Sequence, residues 1–277
     1  MTAAEHYAAC IDAVADQRAR LRGTDEDAER WTAATARRFR FDPRRRLDPN
    51  LVIIAEYLRA DDVFVDVGGG AGRVALPLAL HCREAVVVDP AWAMQDEFDG
   101  AVAEAAITNA RFVRAGWMDD HDVTGDVVFA ANVTYFIREI VPFIDKMDRA
   151  ASRRVMITVW SIPPAVQDAA LFRIVHGEEQ APVPGHGELL PVLWSMGLLP
   201  DVRMLPNPLR EGAMPRTHAE AVDWALLRLR EQARPEARAI IEDRFGDLFA
   251  RVGDEFRPMW RPDARELLIT WPAGQRW

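Results

Sequence analysis

Cysteine is nearly absent: Cys10 and Cys82 are the two that 277 residues carry, far apart and without a CxxC spacing. That excludes a disulfide framework and a thiolate zinc site. It fits a reducing compartment, so a cytoplasmic location is expected. Long apolar runs are missing too. No stretch reaches the roughly 18 residues that a membrane helix needs, and the opening segment MTAAEHYAACIDAVADQRAR carries acids where a secretory signal carries a basic start and an apolar centre. A membrane partner is therefore not expected. The third absence is basic excess. With 34 Lys and Arg against 43 Asp and Glu the net charge is -9, which argues against the broad phosphate-neutralising surface of a nucleic-acid binder. The one basic concentration, Arg37, Arg38 and Arg40 with Arg44, Arg45 and Arg46, reads as a solvated helix-to-loop surface, with a phosphate or acidic-substrate contact as the alternative.

Hydrophobic residues make up 49% of the chain, enough for one large domain or one domain with a helical annex. The first sixty residues are helical in character: Ala4 to Leu21, Asp25 to Phe41, and Pro49 to Leu58 with Asp48 as N-cap. From Val63 the pattern alternates. Short β-branched runs (Val63 to Val67, Ala85 to Val88, Arg111 to Val113, Asp126 to Ala130, Val155 to Trp160) are separated by helix-length segments (Arg73 to His81, Ala91 to Ile107, Ile137 to Ala150), as parallel βαβ units require. Right-handed crossovers then give a doubly wound sheet with its ligand at the carboxyl ends of the strands. After Trp160 regularity breaks, and SIPPAVQDAALFRIVHGEEQAPVPGHGELL reads as a loop or short helix over a site. A helix (Glu188 to Met196), a strand (Val202 to Leu205), helices Thr217 to Ala233 and Pro235 to Val252, and a last strand, Glu266 to Trp271, follow.

The most informative stretch is VFVDVGGGAGR, Val63 to Arg73. An apolar strand passes through Asp66 into Gly68, Gly69, Gly70 and Gly72 and then into a helix. Such a turn exposes backbone N–H groups and a helix N-terminus while letting a ligand approach the backbone closely. The register is not the dinucleotide GxGxxG, because the residue three after Gly70 is Arg73; Asp-x-Gly-x-Gly-x-Gly describes it. The next strand ends in VVVDP, so Asp89 stands beside the turn, placed to accept both hydroxyls of a ribose and to cap the helix that follows.

DVGGGAGR, VVVDP, FVRAGW and DVVFAANVTYF, in that order, resemble the motif series of class I S-adenosylmethionine-dependent methyltransferases over roughly Val63 to Trp160. The resemblance implies a Rossmann-like α/β fold, a doubly wound, mostly parallel seven-stranded sheet whose last strand, Glu266 to Trp271, is antiparallel. It implies residues 1–60 as a helical cap and 61–277 as the methyltransferase domain, with a lid-like segment at 161–190 and a helical insertion at 215–255. The cofactor implied is S-adenosylmethionine. Asp66, Gly68, Gly69, Gly70 and Gly72 would line its methionine half, and Asp89 would hold the ribose, with Pro90 and Ala91 to Met94 beneath the adenine. Trp117 and Met118 would flank that ring, Gly116 and Trp117 standing where the family often has an acid. Asn132 would sit by the sulfonium, with Val133 and Tyr135 near the transferring methyl.

Methyl transfer asks mainly for alignment and, for oxygen or nitrogen acceptors, for a base. The candidates are His121, His176, His186, Glu178, Glu179 and Tyr135, of which His176, His186 and Tyr135 are the catalytic residues expected. A metal reading of His176, Glu178, His186 and Glu188 matches no ligand spacing, and no metal is expected. Trp31 and Phe39 are read as closing over a hydrophobic acceptor. The expected function is methyl transfer to a small molecule, with a homodimer as the admitted assembly. An NAD-dependent oxidoreductase, which the failed GxGxxG register opposes, and a non-catalytic S-adenosylmethionine-binding protein are the competing readings.

Overall fold

A computed structural model describes residues 1–22, 32–206, 214–232 and 234–277. Residues 25–31 of the helix expected over Asp25 to Phe41, Trp31 among them, and the Ala233 end of the helix expected from Thr217 lie outside the described residues; of the rest of the former, Ala33–Ala36 is helical and Arg37–Phe39 a single 3-10 turn. Helices α1 (Ala3–Arg22), α2 (Ala33–Ala36) and α3 (Pro49–Ala55) precede the sheet. Asp48 caps α3 as expected, its Oδ1 accepting from the N–H groups of Asn50 and Leu51 at 2.9 and 3.0 Å. The alternating region runs β1 (Val63–Val67), α4 (Ala75–Ala79), β2 (Glu84–Val88), α5 (Trp92–Glu104), β3 (Ala110–Val113), β4 (Gly125–Ala131), α6 (Ile140–Ala150) and β5 (Ala151–Trp160). Then come α7 (Ala169–His176), α8 (His186–Ser195), β6 (Asp201–Met204), α9 (His218–Leu229), α10 (Pro235–Asp243), α11 (Phe245–Leu248), β7 (Phe249–Val252), β8 (Glu255–Pro258) and β9 (Glu266–Pro272).

Among the described residues the main sheet has seven strands in the order β3-β2-β1-β4-β5-β9-β6. β1, β2, β3, β4 and β5 are parallel, and β9 runs antiparallel between β5 and β6. This is the doubly wound, mostly parallel arrangement read from the sequence, with Glu266 to Trp271 antiparallel as expected. Its order reverses between β1 and β4, and the crevice at that point, beyond the carboxyl ends of the strands, is where such sheets bind ligands.

Period-two alternation divides the core. Val65, Val67, Val86, Val88, Val128, Ala130, Val155 and Ile157 pack on one face with α6, α8 and Tyr7 of α1. Phe64, Ala85, Val87, Val127, Phe129 and Met156 face the other way, against Leu51 and Ile54 of α3, Leu76 and Leu78 of α4, and Phe98 of α5. Helix α1 straps the first face. Its Tyr7 hydroxyl donates to the Thr134 carbonyl at 2.7 Å, Asp12 receives Arg138 through two bonds of 2.8 and 2.9 Å, and Gln17 and Arg20 reach Glu178.

A separate apolar cluster joins α7, α9, α10 and α11 to Phe249. At its base the buried Asp168 accepts from Arg228 Nε at 2.8 Å and from the Trp260 indole at 3.1 Å. Segment 161–190 carries a short helix, one of the two forms expected for it, α7, whose Leu171, Phe172 and Val175 belong to this cluster. One expectation changes here. The helix expected over Pro235 to Val252 ends at Asp243, and Phe249 to Val252 pairs with Glu255 to Pro258 as a hairpin. The cause is local. FARV and EFRP flank Gly253-Asp254, Gly253 takes φ +61, and a glycine of positive φ opening a two-residue loop closes a hairpin.

Helix α6 presses Ile140, Phe143, Ile144 and Met147 onto the sheet. Ile144→Ala leaves a cavity in a fully buried position, and it should lower the unfolding free energy by about 3 kcal/mol, read from urea denaturation midpoints at unchanged slope.

Candidate functional site

The chain leaves β1 through a turn that only glycine accommodates. Gly68 has φ +68, and a Cβ on it would lie 2.7 Å from Val133 Cγ2. Gly69 folds back over Asp66, with 2.7 Å between an added Cβ and the acid's Cγ. Gly70 and Gly72 also have positive φ. An added Cβ on Gly70 meets Met94 Sδ at 3.3 Å, and Met94 packs with Ala36, Ala71 and Ala93 against the outside of the turn. Gly72 lies against Leu76 and Phe98. The turn is thus braced from α2, α5 and the loop after β4.

Asp66 is 1% exposed, and neither carboxylate oxygen has a hydrogen-bond partner. Burial pushes its pKa up to about 7, against the lowering charge of Arg73 and with a further push from Asp89. The Ala75 N–H lowers it slightly, but closes no hydrogen bond. Buried polar groups are normally paired, so this acid presents an unmet demand for a cationic or N–H-bearing ligand.

Asp89 follows β2 and spans two elements. Its Oδ2 accepts the Gly70 N–H at 3.1 Å and its Oδ1 the Ala91 N–H at 2.9 Å. Burial raises its pKa, while the Ala91 and Gly70 N–H groups pull it down. Capping and ligand binding are compatible, because each carboxylate oxygen accepts more than one hydrogen bond. Pro90 is exposed beside it, and Ala93 and Met94 are buried.

Trp117 and Met118, adjacent in sequence, part company. Trp117 is buried, packs with the α6 core and donates from its indole to the Phe143 carbonyl at 3.4 Å. Met118 is 50% exposed. Asp119 turns back to accept the Gly116 N–H at 2.7 Å. His121 lies tilted beside Trp117, with 5.2 Å between ring centres.

β4 ends in a polar knot. Asn132 takes φ +58, a conformation asparagine tolerates better than most residues. Its Nδ2 donates to Glu266 Oε1 at 3.0 Å, and its Oδ1 accepts the Tyr135 hydroxyl at 3.3 Å. That hydroxyl in turn accepts the Trp160 N–H. Burial moves the Tyr135 phenol above its ordinary pKa, the Trp160 N–H opposing and Glu266 adding to the rise, so it stays a neutral hydroxyl at physiological pH. Glu266 Oε2 accepts from Asn50 Nδ2 at 2.8 Å. Neither Asn50 nor Glu266 was expected from the sequence as a site residue. The one available signal was an acid at the start of the strand expected to run antiparallel.

The structure groups Asp66, the glycine turn, Asp89, Asn132, Val133 and Tyr135 at the carboxyl ends of β1, β2 and β4. His176 is elsewhere. It ends α7 inside the annex, its ring 4.3 Å from Phe172 and its Nε2 3.5 Å from Glu231, with both side chains buried. His186 opens α8, which returns the chain to β6, a strand parallel to β5, so topology puts it on the carboxyl side of the sheet. Among the described residues no group of three or more His, Cys, Asp or Glu is placed to hold a metal ion, and no helix is long and apolar enough to cross a membrane.

No protein-family model matches the chain, and no curated protein matches it in sequence. Its fold is shared more widely. The YcgJ protein from Bacillus subtilis superposes with a TM-score of 0.53 at 14% identity, over 82% of this chain and 98% of that one. A provisionally assigned methyltransferase from Bacillus halodurans C-125 gives 0.52 at 13%, over 79% and 95%. Magnesium protoporphyrin IX methyltransferase from Synechocystis PCC 6803, with bound S-adenosylhomocysteine, stands at 0.47 and 14%, over 79% and 77%. At such identities the likeness is one of architecture: the chain has the Rossmann-like methyltransferase fold.

Asp66 makes the ligand-free protein sensitive to pH. A carboxyl whose pKa rises on folding binds its proton more tightly in the native state, so stability falls as pH climbs from the unfolded value near 4 to the folded value of about 7. Between pH 4 and pH 8 the balance between wild type and Asp66→Asn should move toward the variant by roughly 3 kcal/mol, measured from paired denaturation curves at each pH.

Proposed function

We propose that the chain binds S-adenosylmethionine and transfers its methyl group to a small-molecule acceptor. The observation that carries this reading is Asp66, a fully buried carboxylate without a hydrogen-bond partner, enclosed by a glycine turn and facing the switch point of a methyltransferase fold. A zwitterionic amino-acid end meets that demand through its ammonium group. Gly68, Gly69, Gly70 and Gly72 let the ligand lie against the backbone. Asp89 holds the ribose hydroxyls, and Pro90 and Met94 bound the adenine side, with Met118 lying over the ring and Trp117 backing it from the core. Asn132 and Val133 adjoin the sulfonium.

When bound, the cofactor supplies an already activated methyl group, so the protein's task is alignment and proton removal. Tyr135, tied between Trp160 and Asn132, orients the Asn132 carboxamide. His186 is the base on the carboxyl side of the sheet, for an oxygen or nitrogen acceptor. His176 acts at a distance, holding the segment between α7 and α8 through its place in the annex. That segment and the N-terminal helices cover the acceptor. The acidic surface suits a small-molecule partner rather than nucleic acid, in the cytoplasm and with a homodimer as the assembly.

Calorimetry separates the readings. S-adenosylhomocysteine should bind the wild-type chain and NAD should not; retention of NAD alone would replace this proposal with the oxidoreductase. Asp89→Ala should weaken S-adenosylhomocysteine by about 1–3 kcal/mol, or roughly tenfold to a hundredfold, with a melt of the free variant reporting the lost brace on Gly70 separately. Methyl-labelled cofactor incubated with acceptor panels then distinguishes an enzyme from a binding protein.

A further inference from the structure

We infer that Glu266 and Asn50 form the subsite that holds an ammonium group of the acceptor. The inference rests on the methyltransferase reading above and adds a substrate class to it: amines. Glu266 is the first residue of β9 and pairs with Trp160, the last of β5. The one antiparallel strand next to β5 therefore delivers an acid to the same edge of the sheet where the parallel strands end. Asn132 links that acid to Tyr135, so Glu266 stands one side chain behind the residue placed beside the sulfonium.

The chemistry of the cluster is one-sided. The two oxygens of Glu266 accept from the Asn132 and Asn50 amides at 3.0 and 2.8 Å. Both partners are neutral, so the negative charge is hydrogen-bonded but not balanced. Among the described residues no Lys or Arg lies within ion-pair distance of it; its neighbour Arg265 turns to Asp263 at 3.6 Å. Asn50 is 4% exposed. Its nitrogen is committed to Glu266, and its Oδ1 is buried with no donor at all. An orphaned buried acceptor costs of order 1–3 kcal/mol, so something that donates is expected to reach it.

The cluster holds two carboxylate oxygens and the orphaned amide oxygen of Asn50, and each amide nitrogen has committed one of its two protons to Glu266. A ligand carboxylate or phosphate would meet the unbalanced charge of Glu266. A hydroxyl has a single proton for three acceptors. An ammonium group brings two or three N–H donors and the opposite charge, and bonds between charged partners are the strong ones. Asn50 belongs to α3, ahead of the sheet, and Glu266 to its last strand. Their hydrogen bond joins residues 216 positions apart and ties the start of α3 to the start of β9.

The test uses the full chain saturated with S-adenosylhomocysteine and three shape-matched pairs: benzylamine and benzoate, 2-phenylethylamine and 3-phenylpropanoate, cyclohexylamine and cyclohexanecarboxylate. Binding is followed by ligand-observed NMR. At least one amine should bind the wild type tenfold or more tightly than its carboxylate partner, a comparison that needs no variant. Glu266→Gln, checked by thermal melt, should weaken that amine at least tenfold while leaving the S-adenosylhomocysteine dissociation constant within threefold. Equal binding of amine and carboxylate, no amine binding, or undiminished amine binding by Glu266→Gln overturns the inference. Failure of S-adenosylhomocysteine to bind the wild type is a different result, and it removes the methyltransferase reading instead.

Discussion

A carboxylate with nothing to bond to is the constraint around which this molecule is arranged. Asp66 shares a sheet face with Phe64, lies between Val87 and Phe129 in the register of β1 with its neighbours, and is 1% exposed. The turn above it needs glycine because a side chain on Gly69 would strike Asp66 and one on Gly68 would strike Val133. Met94 closes the outside of that turn, and Asp89 pins Gly70 from the adjacent strand. Each of these contacts keeps a costly group in place rather than relieving it. Proteins accept such local instability where a ligand later compensates it.

The fold was largely legible because its signals are short-range. β1, β2, β4 and β5 are apolar runs bounded by turns, the glycine register marks the entry to α4, and the polar-flanked ELLITWP run marks β9. What escaped depends on distance or on competing local signals. The stretch from Pro235 onward has helical composition, and Gly253-Asp254 overrides it only because two four-residue runs alternate around that pair. Trp117 sits beside Met118 in sequence, yet α6 takes Trp117 into the core, and nothing before the loop announces which of the two turns inward.

The site divides along the same line. Asp66, Asp89 and Asn132 are strand-end residues, and a strand end can be located from the strand itself. Glu266 and Asn50 meet only after the sheet is assembled, through a contact that spans most of the chain, so no motif contains them. His176 and His186 share a glycine-flanked, proline-bearing sequence that reads as a loop or short helix. The apolar face Leu171, Phe172, Val175 makes a helix that carries His176 into the α7, α9 and α10 cluster, while His186 begins another.

Helix α1 joins these regions unevenly. Its first half is held by the buried bond from Tyr7 to Thr134, out of reach of dissolved ions. Its second half is held by neutral bonds of Gln17 to Glu179 and Ala181, by Leu21 on the apolar cluster, and by the ion pairs Arg20–Glu178 and, nearer the middle, Arg138–Asp12, with roughly half of each arginine exposed. Exposed pairs of this kind contribute about 0–1 kcal/mol and weaken once the screening length shrinks toward 3 Å in molar salt. Ionic strength is therefore a handle on the ion pairs of the strap and not on its neutral bonds: concentrated salt weakens Arg20–Glu178 and Arg138–Asp12, while the Tyr7 bond and the Gln17 bonds to Glu179 and Ala181 stay in place.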